Sequence, residues 1–223
     1  MYKIFVGYDK RKSVVYHTFC QSVIEHTTQP VMFIPMALPL FKNYQETHTD
    51  GSNDFIYSRF LVPSLCKYKG HALFVDGGMI VKNDITKLFD YADKDRAVSV
   101  VKHDYKTKHS IKYLGNKNED YPRKNWSSVM LWNCGHPANR VLTTSAVQQA
   151  SGKYLHRFEW LKNGQIGELP LEWNWLVEEY EHNDNAKLLH YTIGAPNFVE
   201  YENCDHAEEW FTQCTNVLKG MGE

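Results

Sequence analysis

The chain has 223 residues, 43% of them hydrophobic and 23% charged, with a formal net charge of −1. These are values of an ordinary soluble globular protein, with enough length for one compact α/β domain spanning 1–223. No basic stretch marks a nucleic-acid face, and no apolar segment approaches membrane-spanning length.

The five cysteines, Cys20, Cys66, Cys134, Cys204 and Cys214, are odd in number and form no C-x-x-C pair. Neither a disulfide framework nor a zinc ribbon is suggested, and a reducing cytoplasmic setting fits best. The apolar run at the N-terminus is too short for a signal peptide. Aromatic residues reach 14%. Packing accounts for most of them, and a few are candidates for stacking on sugars or bases.

In chain order, Ile4-Phe5-Val6 reads as a buried strand ending at Gly7-Tyr8-Asp9. From Ser13 to His26 the apolar residues fall at helical spacing, with Ser13 as the expected N-cap. Val31 to Ile34 is a second strand, completing a strand–helix–strand opening without G-x-G-x-x-G. Residues 37–54 are polar and read as a loop long enough to cover a site. Phe55 to Cys66 is expected to be a helix, kinked or ended by Pro63.

Gly70 then leads the apolar run Ala72 to Val75, which stops abruptly at Asp76-Gly77-Gly78. This is the pattern of a buried parallel strand whose C-terminal end opens into a cleft. Asp84 is an expected N-cap for a short helix, Ile85 to Phe89. Ala97 to Val101 reads as a strand, and 102–125 as a loop or excursion on the cleft side. Ser127 to Trp132 reads as a strand. Helices are expected over Ala138–Ala150, closed by Gly152, and over His156–Leu161. Leu188 to Tyr191 is the last strand, and Glu208 to Lys219 a C-terminal helix.

Six stretches carry a common resemblance. Val75-Asp76-Gly77-Gly78-Met79 resembles the D-x-D segment of GT-A fold glycosyltransferases, in particular glycosyltransferase family 8, except that Gly78 replaces the second carboxylate. Tyr57-Ser58-Arg59-Phe60-Leu61-Val62-Pro63 resembles the family's Y-x-R helix, whose arginine can turn its planar fork onto the motif carboxylate or a diphosphate. His190-Tyr191-Thr192-Ile193-Gly194-Ala195-Pro196 resembles the C-terminal H-F-x-G-x-x-K-P-W segment, without its lysine. Gly7-Tyr8-Asp9 matches the end of the family's first strand. Leu169 to Asn174 is similar to its L-P-x-x-W/F-N segment, and Arg123 to Met130 corresponds loosely to its sugar-binding strand.

The resemblance implies an α/β GT-A Rossmann-like fold with a mixed central sheet, and retaining transfer of a hexose from a UDP-sugar to an acceptor hydroxyl. UDP-glucose or UDP-galactose is the implied donor, and a sugar or other hydroxyl compound the acceptor. Asp76 and His190 would hold Mn²⁺ or Mg²⁺, with Arg59 supporting Asp76 or the phosphates. Val6, Gly7, Tyr8, Asp9, Val75, Gly77, Gly78 and Gly194 would meet the nucleotide or diphosphate. Glu172 is the catalytic carboxylate candidate, with Glu159 and Glu168 also near the expected donor pocket. The missing lysine means that phosphate charge must be balanced elsewhere.

Two other classes fit parts of the pattern. A nucleotidyltransferase would carry a Gly-rich basic loop after the first strand, which Tyr8-Asp9-Lys10-Arg11 imitates poorly. A non-catalytic UDP- or UDP-sugar-binding protein on the same fold would account for Gly78. The absence of G-x-x-x-x-G-K-[ST], H-E-x-x-H and G-x-S-x-G sets aside P-loop, zincin and α/β-hydrolase chemistry.

Overall fold

The computed structural model describes residues 1–219; the end of the expected domain, 220–223, lies outside them. In chain order the strands and helices are β1 (Tyr2–Gly7), α1 (Ser13–His26), β2 (Val31–Met36), α2 (Val62–Leu65), β3 (His71–Val75), β4 (Met79–Val81), β5 (Val98–Val100), β6 (Ile111–Lys112), β7 (Asn116–Lys117), β8 (Val129–Asn133), α3 (Thr144–Gln149), α4 (Gly152–His156), β9 (Ile166–Glu168), β10 (Trp175–Leu176), β11 (Leu188–His190) and α5 (Ala207–Leu218).

Six strands form a mixed sheet in the order β2-β1-β3-β8-β5-β9. Parallel pairs join β1 to β2 and β3, and β5 to β9; β8 runs antiparallel between β3 and β5. The expected parallel strand at Ala72–Val75 is therefore parallel on one edge only. Both faces of the sheet are covered, which explains its unbroken apolar runs. Phe5, Phe74, Met130 and Trp132 point into one core with Phe60 and Leu61. Their neighbours Ile4, Val6, Leu73, Val75 and Leu131 point into the other, against Phe19 and Val23 of α1.

The chain leaves this sheet at Asp76 and enters a second one at Met79, where β4 pairs antiparallel with β11 and β11 parallel with β10. Asp76-Gly77-Gly78 is thus the junction of two sheets. A Cβ at Gly77 would lie 2.3 Å from the Gly7 carbonyl oxygen, so the end of β1 and this junction can close only over a glycine.

Several helix expectations are corrected. Ser13 is the first helical residue of α1 and does not cap it, because a 3₁₀ turn over Lys10–Lys12 runs straight into the helix; Asp9 caps that turn by accepting from Arg11 N at 3.0 Å. The helix expected over Phe55–Cys66 is a turn, then a 3₁₀ stretch over Ser58–Leu61, then the single turn of α2. Pro63 has no N–H to offer an α-helical ladder, which keeps the preceding residues in the tighter winding. The helix expected over Ala138–Ala150 divides, because Thr143 accepts from Ala146 N at 3.1 Å and starts α3 afresh. Gly152 opens α4, capped by Ser151, and does not close α3. The residues after His156 turn away, with Phe158 at φ 53°, in place of the helix expected there. The Asp84 cap is present, on a 3₁₀ helix over Ile85–Tyr91. No helix among the described residues is long and apolar enough to cross a membrane.

Candidate active site

Asp76 follows the C-terminal end of β3, where its backbone N–H donates to Ser128 O at 2.9 Å. Arg59 reaches it from the 3₁₀ stretch before α2. One guanidinium nitrogen donates to Asp76 Oδ1 at 2.6 Å and to Ser127 O at 2.9 Å, while Nε donates to Ile56 O at 3.1 Å. The guanidinium carbon lies 5.1 Å from the ring centres of both Phe55 and Phe74. A planar cation held between two rings and three acceptors has one geometry, and it fixes one carboxylate oxygen of Asp76.

His190 comes from β11, paired in register with Met79. Its Nδ1 donates to Asn174 Oδ1 at 3.0 Å. The Asn174 amide donates to Ser128 Oγ at 2.8 Å, and that hydroxyl donates to Asn125 O at 2.7 Å. This chain of donors assigns the proton to Nδ1 and leaves the Nε2 lone pair 3.8 Å from Asp76 Oδ2. Burial first, then the charges of Arg59 and Lys112, hold the His190 imidazole well below its ordinary pKa, so it is neutral. Burial pushes the Asp76 carboxyl up, against the pull of Arg59, Lys12 and Lys112.

Asp76, Arg59 and His190 share a cleft with Lys12, Lys112 and Tyr113. Lys12 follows β1, and Lys112 and Tyr113 lie on the β6–β7 excursion, within the segment read as a cleft-side loop. The Lys12 ammonium stands 3.6 Å over the Tyr113 ring. Burial would raise the Tyr113 phenol, but Lys12 and Lys112 outweigh it and hold the group below its ordinary range. Three cationic side chains thus face one carboxylate, and the cleft favours an anion.

A carboxylate oxygen facing an imidazole nitrogen whose other nitrogen is tied down is a sound pair of donors for a borderline divalent cation. Two protein donors are fewer than such a cation fills, so the remainder must come from ligand or water. Gly78 lines the cleft, has no positive φ, and a Cβ there would meet nothing nearer than Tyr191 O at 3.9 Å.

Of the other expected site residues, Gly78 alone lines this cleft. The side chains of Val6 and Val75 are fully buried in the core. The bare faces of Gly7 and Gly194 accommodate rings of the chain itself: a Cβ would come within 2.5 Å of Phe55 at Gly7 and 2.1 Å of Tyr201 at Gly194. Tyr8 packs edge-on against Tyr16, and the Asp9 carboxylate is consumed by Arg11. The carboxylate of Glu172 pairs with Lys187 at 3.0 Å and does not line the cleft, where the sequence reading had placed it. Glu168 pairs with Lys102, and Glu159 is exposed.

Sequence reasoning missed Lys12, Lys112, Tyr113 and His156. The vacancy left by the family lysine was the one available signal for the first two. His156 accepts from or donates to Ser127 Oγ at 2.7 Å through Nδ1, and burial, with Arg59 and Lys112 behind it, pushes its pKa down to about 3.

A mixed sheet with an aspartate at its central strand end, opening onto this cleft, is a GT-A-like glycosyltransferase fold, and the solved structures agree. The chain matches WbbM, a bifunctional glycosyltransferase, with a TM-score of 0.66 and 13% identity over 96% of its length. It matches the glycosyltransferase GlyE of Streptococcus pneumoniae TIGR4 at 0.60 and 13% over 98%. It covers 50% of WbbM and 63% of GlyE. Galactosyltransferase LgtC, solved with donor and acceptor sugar analogs, matches at 0.58 and 14%, with 96% of this chain and 95% of that one covered.

No family model matches the sequence. Over 227 residues the chain is 37% identical to Protein CDI of Arabidopsis thaliana, covering 98% of this chain and 88% of that one. The chain belongs to the family of that protein.

Proposed function

We propose that the chain is a glycosyltransferase of the family 8 type, moving a hexosyl group from a UDP-sugar to an acceptor hydroxyl with retention at the anomeric carbon. UDP-glucose and UDP-galactose are the donors proposed. The observation that carries this reading is the convergence of Asp76, Arg59 and His190 with two lysines in one cleft of a GT-A-like fold.

The chemical difficulty is a departing diphosphate that gains negative charge as the glycosidic bond breaks. Positive groups fixed before the reaction lower that barrier most, since nothing need reorganise when the charge appears. Lys12 and Lys112 are placed to take the charge assigned to a lysine of the C-terminal segment in family 8. Arg59 orders Asp76 and adds its own charge. Asp76 and His190 would hold a divalent cation, which when bound neutralises the leaving diphosphate as a Lewis acid. Asn174 keeps the His190 lone pair turned toward Asp76 Oδ2. Among the described residues lining the cleft Asp76 is the one carboxylate, and it is paired with Arg59. No carboxylate is free to act as nucleophile, which suits attack by the acceptor on the leaving-group face.

The reading is tested by calorimetry of UDP, GDP, ADP and CMP with and without Mn²⁺, followed by UDP release from a panel of UDP-sugars. UDP is expected to bind tightest, and at least one UDP-hexose to be turned over. Equal binding of all four nucleotides overturns the donor assignment. Selective UDP binding with no turnover of any donor and acceptor leaves a binding protein on this fold.

A further inference from the structure

A second group of donors lies outside the cleft, where α5 begins. His206 precedes that helix in the left-handed region, at φ 56° and ψ 23°, and its side chain is fully buried. Its Nδ1 donates to Glu209 Oε1 at 2.8 Å, and Glu209 is held in turn by Lys82 Nζ at 3.2 Å. That contact fixes the tautomer and leaves a lone pair on Nε2, which has no hydrogen-bond partner among the described residues. The nearest polar atom paired with it is Asp205 Oδ2, at 3.6 Å.

Asp205 is itself fixed: its backbone N–H donates to Glu178 at 2.7 Å, and its Oδ1 accepts from His206 N at 3.0 Å. Over it lies His182, from the 177–187 connection between β10 and β11, with Nδ1 2.7 Å from Asp205 Oδ1 and its ring stacked on His206 at 4.4 Å. One ligand atom from each of His182, Asp205 and His206 falls within 4.8 Å of the others.

We propose that His182, Asp205 and His206 form a binding site for a borderline divalent cation of the Zn²⁺ class, separate from the cleft. A buried imidazole nitrogen without a partner is costly in an apolar packing, and a metal ion satisfies it. Two imidazoles and one carboxylate are a donor set that Zn²⁺ takes with a fourth, open position. The Glu209–His206 pair is the carboxylate–histidine support that orients metal-binding imidazoles. A metal lies in the plane of each ring it binds, so the stacked rings must splay; His182, more than half exposed, has room to turn. The hard cations Mg²⁺ and Ca²⁺ prefer all-oxygen sets and are disfavoured here. Bound metal would clip the 177–187 connection to the start of α5.

The test uses the whole chain, stripped with a chelator and titrated with Zn²⁺ alone, read by calorimetry and by thermal melting. Wild type is expected to bind one Zn²⁺ at this site and to melt higher with it. Glu209→Gln is expected to weaken that binding about 10–100-fold, and His182→Ala at least as much. His182 is exposed, so its variant is expected to melt as the metal-free wild type does. The titrations are repeated in the His190→Ala background, so that Zn²⁺ taken by the cleft pair is not counted. One Zn²⁺ is expected to bind there still, and equal Zn²⁺ affinity in His190→Ala and in His182→Ala/His190→Ala overturns the proposal.

Discussion

Asn174 holds the His190 ring by its Nδ1 at 3.0 Å, and this one contact decides that Nε2 faces Asp76. The two residues are sixteen apart in sequence and meet because β11 and the 3₁₀ turn over Leu171–Asn174 pack together. His190→Ala is expected to weaken Mn²⁺-dependent UDP binding about 10-fold or more while the fold persists. Asn174→Ala should show a smaller loss of the same kind, since the ring is freed but the nitrogen remains. Calorimetry with UDP and Mn²⁺ checks both; unchanged affinity per folded molecule in His190→Ala removes it from the metal site.

Arg59 is the buried cation on which the cleft rests. Arg59→Ala leaves the Asp76 carboxylate without its partner, a change expected to cost about 3–5 kcal/mol of folding stability. Arg59→Lys keeps the charge but not the fork that spans Asp76, Ser127 O and Ile56 O, and should also lose donor binding. Urea denaturation measures the first loss and UDP titration the second. Wild-type stability in both variants would mean that the ion pair is dispensable.

Neighbouring glycines should respond in opposite ways. Gly77→Ala forces a methyl against the Gly7 carbonyl and is expected to destabilise by about 1–3 kcal/mol. Gly78 has open space and no positive φ, so Gly78→Asp should fold normally, tighten Mn²⁺ binding and raise donor turnover or hydrolysis. A folded Gly78→Asp protein with neither gain shows that the D-x-D reading of this stretch is incomplete.

Replacing Lys12 or Lys112 by Ala should weaken UDP more than uridine, because uridine has no phosphate to meet them. The loss should shrink as salt rises, since partly exposed charges are screened. Equal losses for UDP and uridine would place the lysines at the base and not at the phosphates.

Acid should destabilise the fold through His103. Burial pushes this imidazole from an ordinary 6.5 down to about 3, with Nδ1 tied to Tyr180 Oη at 2.7 Å. Between those values the unfolded chain binds a proton that the folded chain refuses. Stability is therefore level above pH 6.5 on this account and falls as pH drops toward 3, by at most about 1.4 kcal/mol per pH unit. His103→Gln removes that contribution, and its urea midpoint should depend less on pH across this window. An identical pH profile in the variant would show that His103 is not buried neutral.

The sequence by itself determined six of the strands, β1, β2, β3, β5, β8 and β11, but not the short β4, β6, β7, β9 and β10, and it marked the aspartate and histidine that stand at strand ends. Apolar runs buried on two faces and stopped by Gly or Asp are local signals, and β1, β3 and β11 were legible from them. Asp76, Arg59 and His190 were legible by resemblance as one site. Their distances were not, because Asp76 and His190 meet only through the pairing of β4 with β11, and register between distant segments leaves no local mark. The helix limits at 142–143 and 152–156 were misplaced because capping by Thr143 and Ser151 overrode the apolar period. Only the tertiary structure decided which glycines make room for the chain's own rings and which leave the cleft open: Gly7 and Gly194 back onto Phe55 and Tyr201, while Gly78 faces the cleft. It also decided which lysines stand in the cleft. Lys12 and Lys112 lie a hundred residues apart on segments with no period of their own, and long-range folding, not local pattern, sets both beside Asp76.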